Sequence, residues 1–166
     1  IADSQDWGKT WAEAFTKKVP ELGGKIVGTE WIDESKQTDF YTQLTKVIGL
    51  KPDILAFVAH DAASAMLVKQ ARELGWTGPF VFSEGLQAEG RRLAGWDKIG
   101  SSYLIANATD LKMPGALTYN DEFKAKFNKD ALAYGMLSYA QAKLGLRAME
   151  KAGTVTDVAK IRAAIA

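Results

Sequence analysis

Four side chains in the first half of the chain have the types and positions expected of a small-molecule binding site. They are Trp7, His60, Asp61 and Glu84, and each lies in or beside a loop that follows a predicted β-strand. In parallel α/β sheets, ligands bind beyond the carboxyl ends of the strands. An aromatic ring, an imidazole and carboxylates at that edge suit a small polar solute with a cationic or hydrogen-bonding head and an apolar part.

Each of these residues also has a purely structural interpretation. Trp7 could pack beneath the first helix as its hydrophobic staple, and Asp61 could simply cap the helix that it precedes. His60 could be a solvated or hydrogen-bonded loop residue, and Glu84 an exposed loop carboxylate. Glu84 is the sharpest candidate, because it stands beside Gly85 in a tight loop where a carboxylate is well placed to pair with an ammonium group.

The remaining composition argues against enzymatic and cofactor chemistry. The 166 residues contain no cysteine and a single histidine, which excludes thiolate chemistry, disulfides and a histidine-based metal cluster within one chain. No phosphate-binding loop, dinucleotide fingerprint or nucleophile elbow is present. We therefore expect no catalytic residue, no metal and no cofactor.

Charge and hydropathy exclude two further classes of partner. The chain has 21 basic and 20 acidic residues without a basic run, so nothing supports a nucleic-acid or anionic-membrane surface. No apolar stretch approaches the roughly 18 residues expected of a transmembrane helix.

The elements that must position the four candidates alternate between helix and strand patterns. We predict helices over residues 11–22, 40–48, 62–74 and 88–95, and strands over residues 25–32, 54–59, 79–82 and 103–106. Residues 1–2 have the character of the end of a preceding strand. This alternation predicts right-handed βαβ crossovers and a mostly parallel sheet covered on both faces.

The pattern changes after Asn107, which follows the last predicted strand. Helices are predicted over residues 117–127, 134–152 and, capped by Thr156 or Asp157, up to residue 165. The predicted fold is thus a three-layer αβα lobe with a parallel sheet over residues 1–107, followed by a helical extension over residues 108–166.

The order of several segments resembles the second lobe of type I periplasmic binding proteins. Within that group it resembles most closely the branched-chain amino-acid (leucine, isoleucine and valine) binding family of ABC transporters. The segments are DSQDWG, TDFYTQLTKV, KPDILAFVAHDAASAMLVKQARELG and PFVFSEG, and the match runs in order to about residue 109. YNDEFKAKF and AYGMLSYAQAKLGLRAMEKAG fit the family's region after the second crossing between the lobes.

The resemblance implies two α/β lobes that close on a ligand like a hinge. An amino-terminal lobe would precede Ile1, and a returning segment would follow residue 166. The family implies a periplasmic, non-enzymatic protein that binds an amino acid or similar solute and works with the membrane permease of an ABC importer.

By position, the family's contacts from this lobe fall on Trp7, on His60 or Asp61, and on Glu84, which would pair with the ligand ammonium. The family's amino-acid binders carry an aromatic residue near position 60. His60 and Asp61 depart from that pattern, which puts a branched-chain ligand in doubt.

Two other functions share features with this sequence. The same lobe architecture serves as the ligand-sensing domain of regulators and receptors, and the alternation also permits a flavodoxin-like or nucleotide-using enzyme, although no phosphate loop supports one. In the family, the helices after Asn107 pack on the first lobe. We therefore expect them to fold back on their own sheet or to pair with a second copy, as in a homodimer formed by segment exchange.

Overall fold

The structure is a computed structural model that describes residues 1–105, 114–131 and 133–165, apart from the side chains of residues 88, 114 and 133. The chain divides into two units, Ile1–Ala106 and Asn107–Ala166.

The first unit alternates strands and helices in the predicted order, which confirms the α/β class. Its strands are β1 (Ala2–Asp3), β2 (Trp31–Ile32), β3 (Leu55–Phe57), β4 (Phe80–Phe82) and β5 (Ser102–Leu104). Its helices are α1 (Asp6–Glu21), α2 (Tyr41–Gly49), α3 (Asp61–Glu73), α4 (Ala88–Ala94) and α5 (Trp96–Ile99). All the paired strands run parallel.

Strand β1 lies between β2 and β3 in the sheet. It pairs with β2 on one side, and on the other side a parallel bridge joins Ala2 to Val58, just after β3. The backbone N–H of Asp3 donates to the carbonyl of Val58 at 2.8 Å, and the N–H of Val58 donates to the carbonyl of Ile1 at 2.9 Å. The spatial order is therefore β2-β1-β3-β4-β5. Strand β2 is added on one side of β1, whereas β3, β4 and β5 follow on the other side, so the order in which strands are added changes direction at the boundary between β1 and β3.

The prediction of a strand over residues 25–32 is wrong for most of its length. Only Trp31–Ile32 pair with β1, although the β-branched and aromatic composition of the whole segment favours a strand. The segment lacks a partner for the rest of its length, because β1 has only two residues with which it can pair. Beyond that pairing, the carbonyl of Glu30 accepts one hydrogen bond from the backbone N–H of Ala2, at 3.0 Å. Composition describes a strand's preference, whereas pairing requires a neighbour.

Two helix predictions also need correction. The first helix begins at Asp6 rather than at residue 11, and the short helix α5 was not predicted. Gly95 separates α4 from α5 with a φ of 91°, a conformation that glycine adopts without steric cost. The end of the predicted strand 103–106 lies outside the described residues.

Three phenylalanines from β3 and β4 form the centre of the core. The rings of Phe57, Phe80 and Phe82 lie 5.2–5.9 Å apart and are almost completely buried. Leu67 and Val68 of α3 are fully buried and belong to the same core. Each such side chain contributes about 1.5–3 kcal/mol through burial, so the core holds the strand ends of this unit in fixed positions.

The described part of the second unit contains the three predicted helices. They are α6 (Pro114–Phe127), α7 (Ala133–Ala152) and α8 (Val158–Ile165). Asp157 caps α8 as predicted, because its Oδ1 accepts a hydrogen bond from the backbone N–H of Lys160 at 3.1 Å. No helix in the described ranges is both long and apolar enough to cross a bilayer.

These helices bury few of their large apolar side chains. The described side chains that are buried are Ala116, Met136 and Ala148. The large apolar side chains of this unit that are exposed are Leu117, Phe127, Tyr134, Tyr139, Leu144, Leu146, Val155, Val158 and Ile165. Exposed apolar surface of this extent is typical of a surface that packs against another protein or domain.

Candidate functional site

The carboxyl ends of β1, β3 and β4 bring Trp7, His60 and Glu84 into direct contact. The indole of Trp7 stacks on the imidazole of His60, with ring centroids 4.6 Å apart and an interplanar angle of 26°. Nε1 of Trp7 donates a hydrogen bond to Oε1 of Glu84 at 3.2 Å. Trp7 is the second residue of α1, and its side chain contacts residues of two other loops. A hydrophobic staple would precede the helix and pack against it, so that interpretation of Trp7 is wrong.

A tight turn after β1 sets the position of Trp7. Asp3 is buried, and its carboxylate accepts hydrogen bonds from the backbone N–H groups of Gln5 at 3.2 Å and Glu34 at 3.4 Å. A Cβ on Gly8 would lie well inside 3.0 Å of the carbonyl oxygen of Asp3. Only glycine at position 8 permits this close approach between α1 and β1.

Glu34 is a member of the site that was not among the four candidates. Its Oε2 accepts a hydrogen bond from the backbone N–H of His60 at 2.7 Å, and its Oε1 contacts Nδ1 of the His60 ring. The side chain of Glu34 is only 12% exposed, whereas that of His60 is 70% exposed. The signal that could have identified Glu34 is its position after β2, the same criterion that selected the other residues.

Asp61 belongs to the site but does not cap α3, so the capping interpretation is wrong. The helix begins at Asp61 itself, and the extended residue before it, His60, occupies the N-cap position. Oδ1 of Asp61 instead accepts a hydrogen bond from the backbone N–H of Gln87 at 2.7 Å, at the start of α4. A Cβ on Gly90 would lie 2.6 Å from that Oδ1, so glycine at this position allows α4 to approach Asp61.

A third close approach, at Gly85, fixes the loop that carries Glu84. A Cβ on Gly85 would overlap the carbonyl oxygen of Ala59, at the end of the β3 segment. Nε2 of Gln87 donates to the carbonyl of Glu84 at 3.3 Å and closes the loop from its other side. The loop around Glu84 is thus held by its close contact with Ala59 and by a hydrogen bond within the loop itself.

We call Trp7, Glu34, His60, Asp61 and Glu84 the rim cluster. It lies at the carboxyl edge of the sheet and spans the reversal of strand order between β1 and β3. In open α/β sheets, this position is where ligands bind. The part of the chain that the structure describes contains no group of three or more metal-ligating side chains.

Asp33 is adjacent to the rim cluster but is neutralised in its own loop. Hydrogen bonds from Lys36, at 2.7 Å, and from Ser35 hold the pKa of the Asp33 carboxyl below its ordinary value. The carboxylates that face the cluster are therefore those of Glu34, Asp61 and Glu84. Asn107, the rim residue expected after the last strand, lies outside the described residues.

Comparison with known proteins shows the family to which the chain belongs. The chain matches the family described as Periplasmic binding protein over residues 1–166. It is 26% identical over 166 residues to the Leu/Ile/Val-binding protein BraC3 of Rhizobium johnstonii, covering 99% of this chain and 44% of that protein. It is 28% identical over 167 residues to the Leu/Ile/Val-binding protein homolog 3 of Brucella melitensis, with the same coverage.

The fold also matches a solved structure of this kind. The leucine binding protein LivK of Thermotoga maritima superposes with a TM-score of 0.86 at 27% identity, covering 97% of this chain and 46% of that one. The chain thus spans less than half the length of these relatives. The match over all 166 residues confirms the predicted resemblance, and the chain belongs to the periplasmic binding protein family.

Proposed function

We propose that this chain supplies one lobe of an extracytoplasmic solute-binding protein that delivers an amino acid or a similar small polar solute to the permease of an ABC importer. Two facts support the proposal. The chain belongs to a family of binding proteins, and its relatives are named as leucine or Leu/Ile/Val-binding proteins. Because those relatives are more than twice as long, the proposed cleft has a second lobe facing the rim cluster.

The rim cluster is the observation that carries this proposal. The stacked rings of Trp7 and His60 form a flat surface that suits the apolar part of a solute. The carboxylate of Glu84, oriented by Trp7, suits an ammonium group, and such a charged hydrogen bond contributes about 1.5–3 kcal/mol. Asp61 holds the start of α4 beside the cluster and is a second carboxylate for a cationic group.

A two-lobed binding protein changes between an open state and a closed state, and the solute binds the closed state more tightly. A solute that contacts both lobes stabilises the closed state by its extra affinity for it. We therefore expect this 166-residue chain to bind solutes more weakly than the complete product of its gene, and both proteins should be measured.

The first experiment is a thermal-shift panel followed by calorimetric titration. The panel contains aliphatic and aromatic amino acids, amides, aromatic acids, and FMN, NAD and ATP. A solute at about a hundred times its Kd adds roughly 2.7 kcal/mol of stability, which raises Tm by several degrees. Stabilisation by an amino acid supports the proposal, whereas stabilisation by a nucleotide alone contradicts it.

A pair of matched variants then tests the site. Glu84→Gln should weaken solute binding by about ten-fold to a hundred-fold, because the charge that pairs with the ammonium is lost. Glu89→Gln is the control, since Glu89 is an exposed residue of α4 that pairs with Arg92 at 2.6 Å. Equal affinities for the wild type and Glu84→Gln would refute the role of Glu84.

The proposed location is the periplasm or the outer face of the membrane. Fractionation of cells that express the complete gene product, with detection by a carboxyl-terminal tag, tests it. Recovery in the cytosolic fraction alone would contradict the proposal.

A further inference from the structure

The contact between Glu34 and His60 determines which ring nitrogen of the histidine carries the proton. An ionised carboxylate accepts hydrogen bonds and cannot donate them. Oε1 of Glu34 contacts Nδ1 of His60, so Nδ1 is the protonated nitrogen. Oε2 of the same carboxylate is held by the backbone N–H of His60 at 2.7 Å, which fixes the carboxylate opposite the ring.

The other ring nitrogen is consequently a hydrogen-bond acceptor in the neutral imidazole. With the proton on Nδ1, Nε2 carries a lone pair. The side chain of His60 is 70% exposed, and no hydrogen-bond donor within the described ranges contacts Nε2. The stacking of the ring on Trp7 limits its rotation, so the acceptor has a defined place beside the indole.

The neighbouring groups of the rim cluster are also acceptors. Asp61 and Glu84 have carboxylates, and the hydrogen-bond donor of the Trp7 indole is already bound to Glu84. When a solute and the second lobe of the proposed cleft cover Nε2 of His60, this nitrogen loses its hydrogen bonds to water. An aliphatic group placed against it offers no replacement, and this loss penalises an aliphatic solute.

We infer that His60 is a specificity-determining residue, positioned by Glu34, which selects solutes whose distal group donates a hydrogen bond to Nε2. The solute class is an amino acid or amine with a side-chain amide, hydroxyl or amino group, preferred over its aliphatic isostere. This inference rests on the proposed function, because it requires a solute bound at the rim cluster.

The tautomer is measurable directly, because His60 is the only histidine of the chain. Long-range ¹H–¹⁵N correlation spectra, recorded at a pH where the imidazole is neutral, distinguish a protonated Nδ1 from a protonated Nε2. We expect the Nδ1–H form in the wild type and a change toward the Nε2–H form in Glu34→Ala. Glu30→Ala is the matched control, since Glu30 pairs with Lys46 at 3.2 Å and should leave the spectrum unchanged. An Nε2–H tautomer in the wild type would overturn the inference.

Selectivity is tested with two pairs of near-isosteric amino acids in calorimetric titrations of the complete gene product. Asparagine should bind about tenfold more tightly than leucine, and glutamine more tightly than homoleucine by a similar factor, which is the contribution of one hydrogen bond. His60→Phe keeps a ring to stack on Trp7 but removes both nitrogens, and it should abolish the preference.

The outcomes separate this inference from the proposed function. If leucine binds as tightly as asparagine, His60→Phe leaves the ratio unchanged and Glu84→Gln weakens both, the binding function stands and the role of His60 is refuted. If no amino acid, amide or amine binds to the wild type, both proposals fail.

Discussion

Replacing Gly85 by alanine should displace the loop that carries Glu84. The added Cβ would lie far inside the 3.0 Å limit that real Cβ atoms respect, and the opposing atom is the backbone carbonyl oxygen of Ala59. A backbone atom next to a core strand cannot rotate away as a flexible side chain can. The loop must therefore move by more than the few tenths of an ångström that neighbouring atoms ordinarily yield.

Two terms set the size of the effect. Overpacking against rigid structure costs up to about 3 kcal/mol. The hydrogen bond from Trp7 to Glu84 is already 3.2 Å long, so the displacement takes it beyond hydrogen-bonding distance and costs a further ~1.5 kcal/mol, at the lower end for a charged acceptor that is only half-buried. We expect Gly85→Ala to lower the free energy of unfolding by about 2.5–4.5 kcal/mol, a large share of the 5–15 kcal/mol typical of such domains.

Urea unfolding and the indole ¹H–¹⁵N spectrum measure both terms. The unfolding midpoint should fall with little change in the m value, and the indole resonance assigned to Trp7 should shift. Gly49→Ala is the control, because Gly49 ends α2 with open space around its Cβ position and alanine there should stabilise the chain by about 0.5–1 kcal/mol. A cost below about 1 kcal/mol for Gly85→Ala, with an unshifted Trp7 resonance, would refute the idea that this close approach positions Glu84.

Three further predictions concern separate parts of the chain. Trp7→Phe keeps the stacking on His60 but removes the bond to Glu84, so urea unfolding should show a loss of about 1.5 kcal/mol, and an unchanged midpoint would contradict this. Arg72→Ala removes hydrogen bonds to four backbone carbonyls, at 2.6–3.4 Å, and the contact of the guanidinium with the Phe80 ring. Its free energy of unfolding should therefore fall by about 2–4 kcal/mol, and Arg72→Lys should recover only part of that. Light scattering should detect species heavier than the 18.1 kDa monomer, because the helices of the second unit expose large apolar side chains; a strict monomer would contradict this expectation.

The sequence predicted the alternation of strands and helices well because that alternation is encoded in local patterns. The apolar run at residues 54–59 and the amphipathic pattern of α3 depend on neighbours within a few positions. The order of strands depends on the bridge between Ala2 and Val58, which no local pattern specifies. The failed strand at residues 25–32 has the same cause, since its partner and not its composition limits it.

The candidate site shows the same division. The rule that ligand contacts follow strand ends identified Trp7, His60 and Glu84, and the structure brings these three side chains together. Which of the rim carboxylates meets the imidazole depends on β2 and β3 being placed on either side of β1. The position of Glu34 after β2 could mark it as a rim residue, but its contact with His60 could be recognised only after that order was known. The hydrogen bond of Asp61 to the start of α4 likewise requires the packing of two helices.

The central position of β1 has a consequence for synthesis on the ribosome. Asp3 leaves the exit tunnel 55 residues before Val58, the residue with which its backbone N–H forms a hydrogen bond, so one edge of β1 stays open during that interval. At roughly 5–20 residues per second, this interval lasts about 3–11 s. During that time the nascent chain presents an unpaired strand edge, which other chains could pair with. We therefore expect this chain to be most prone to aggregation during translation, before β3 arrives to pair with β1.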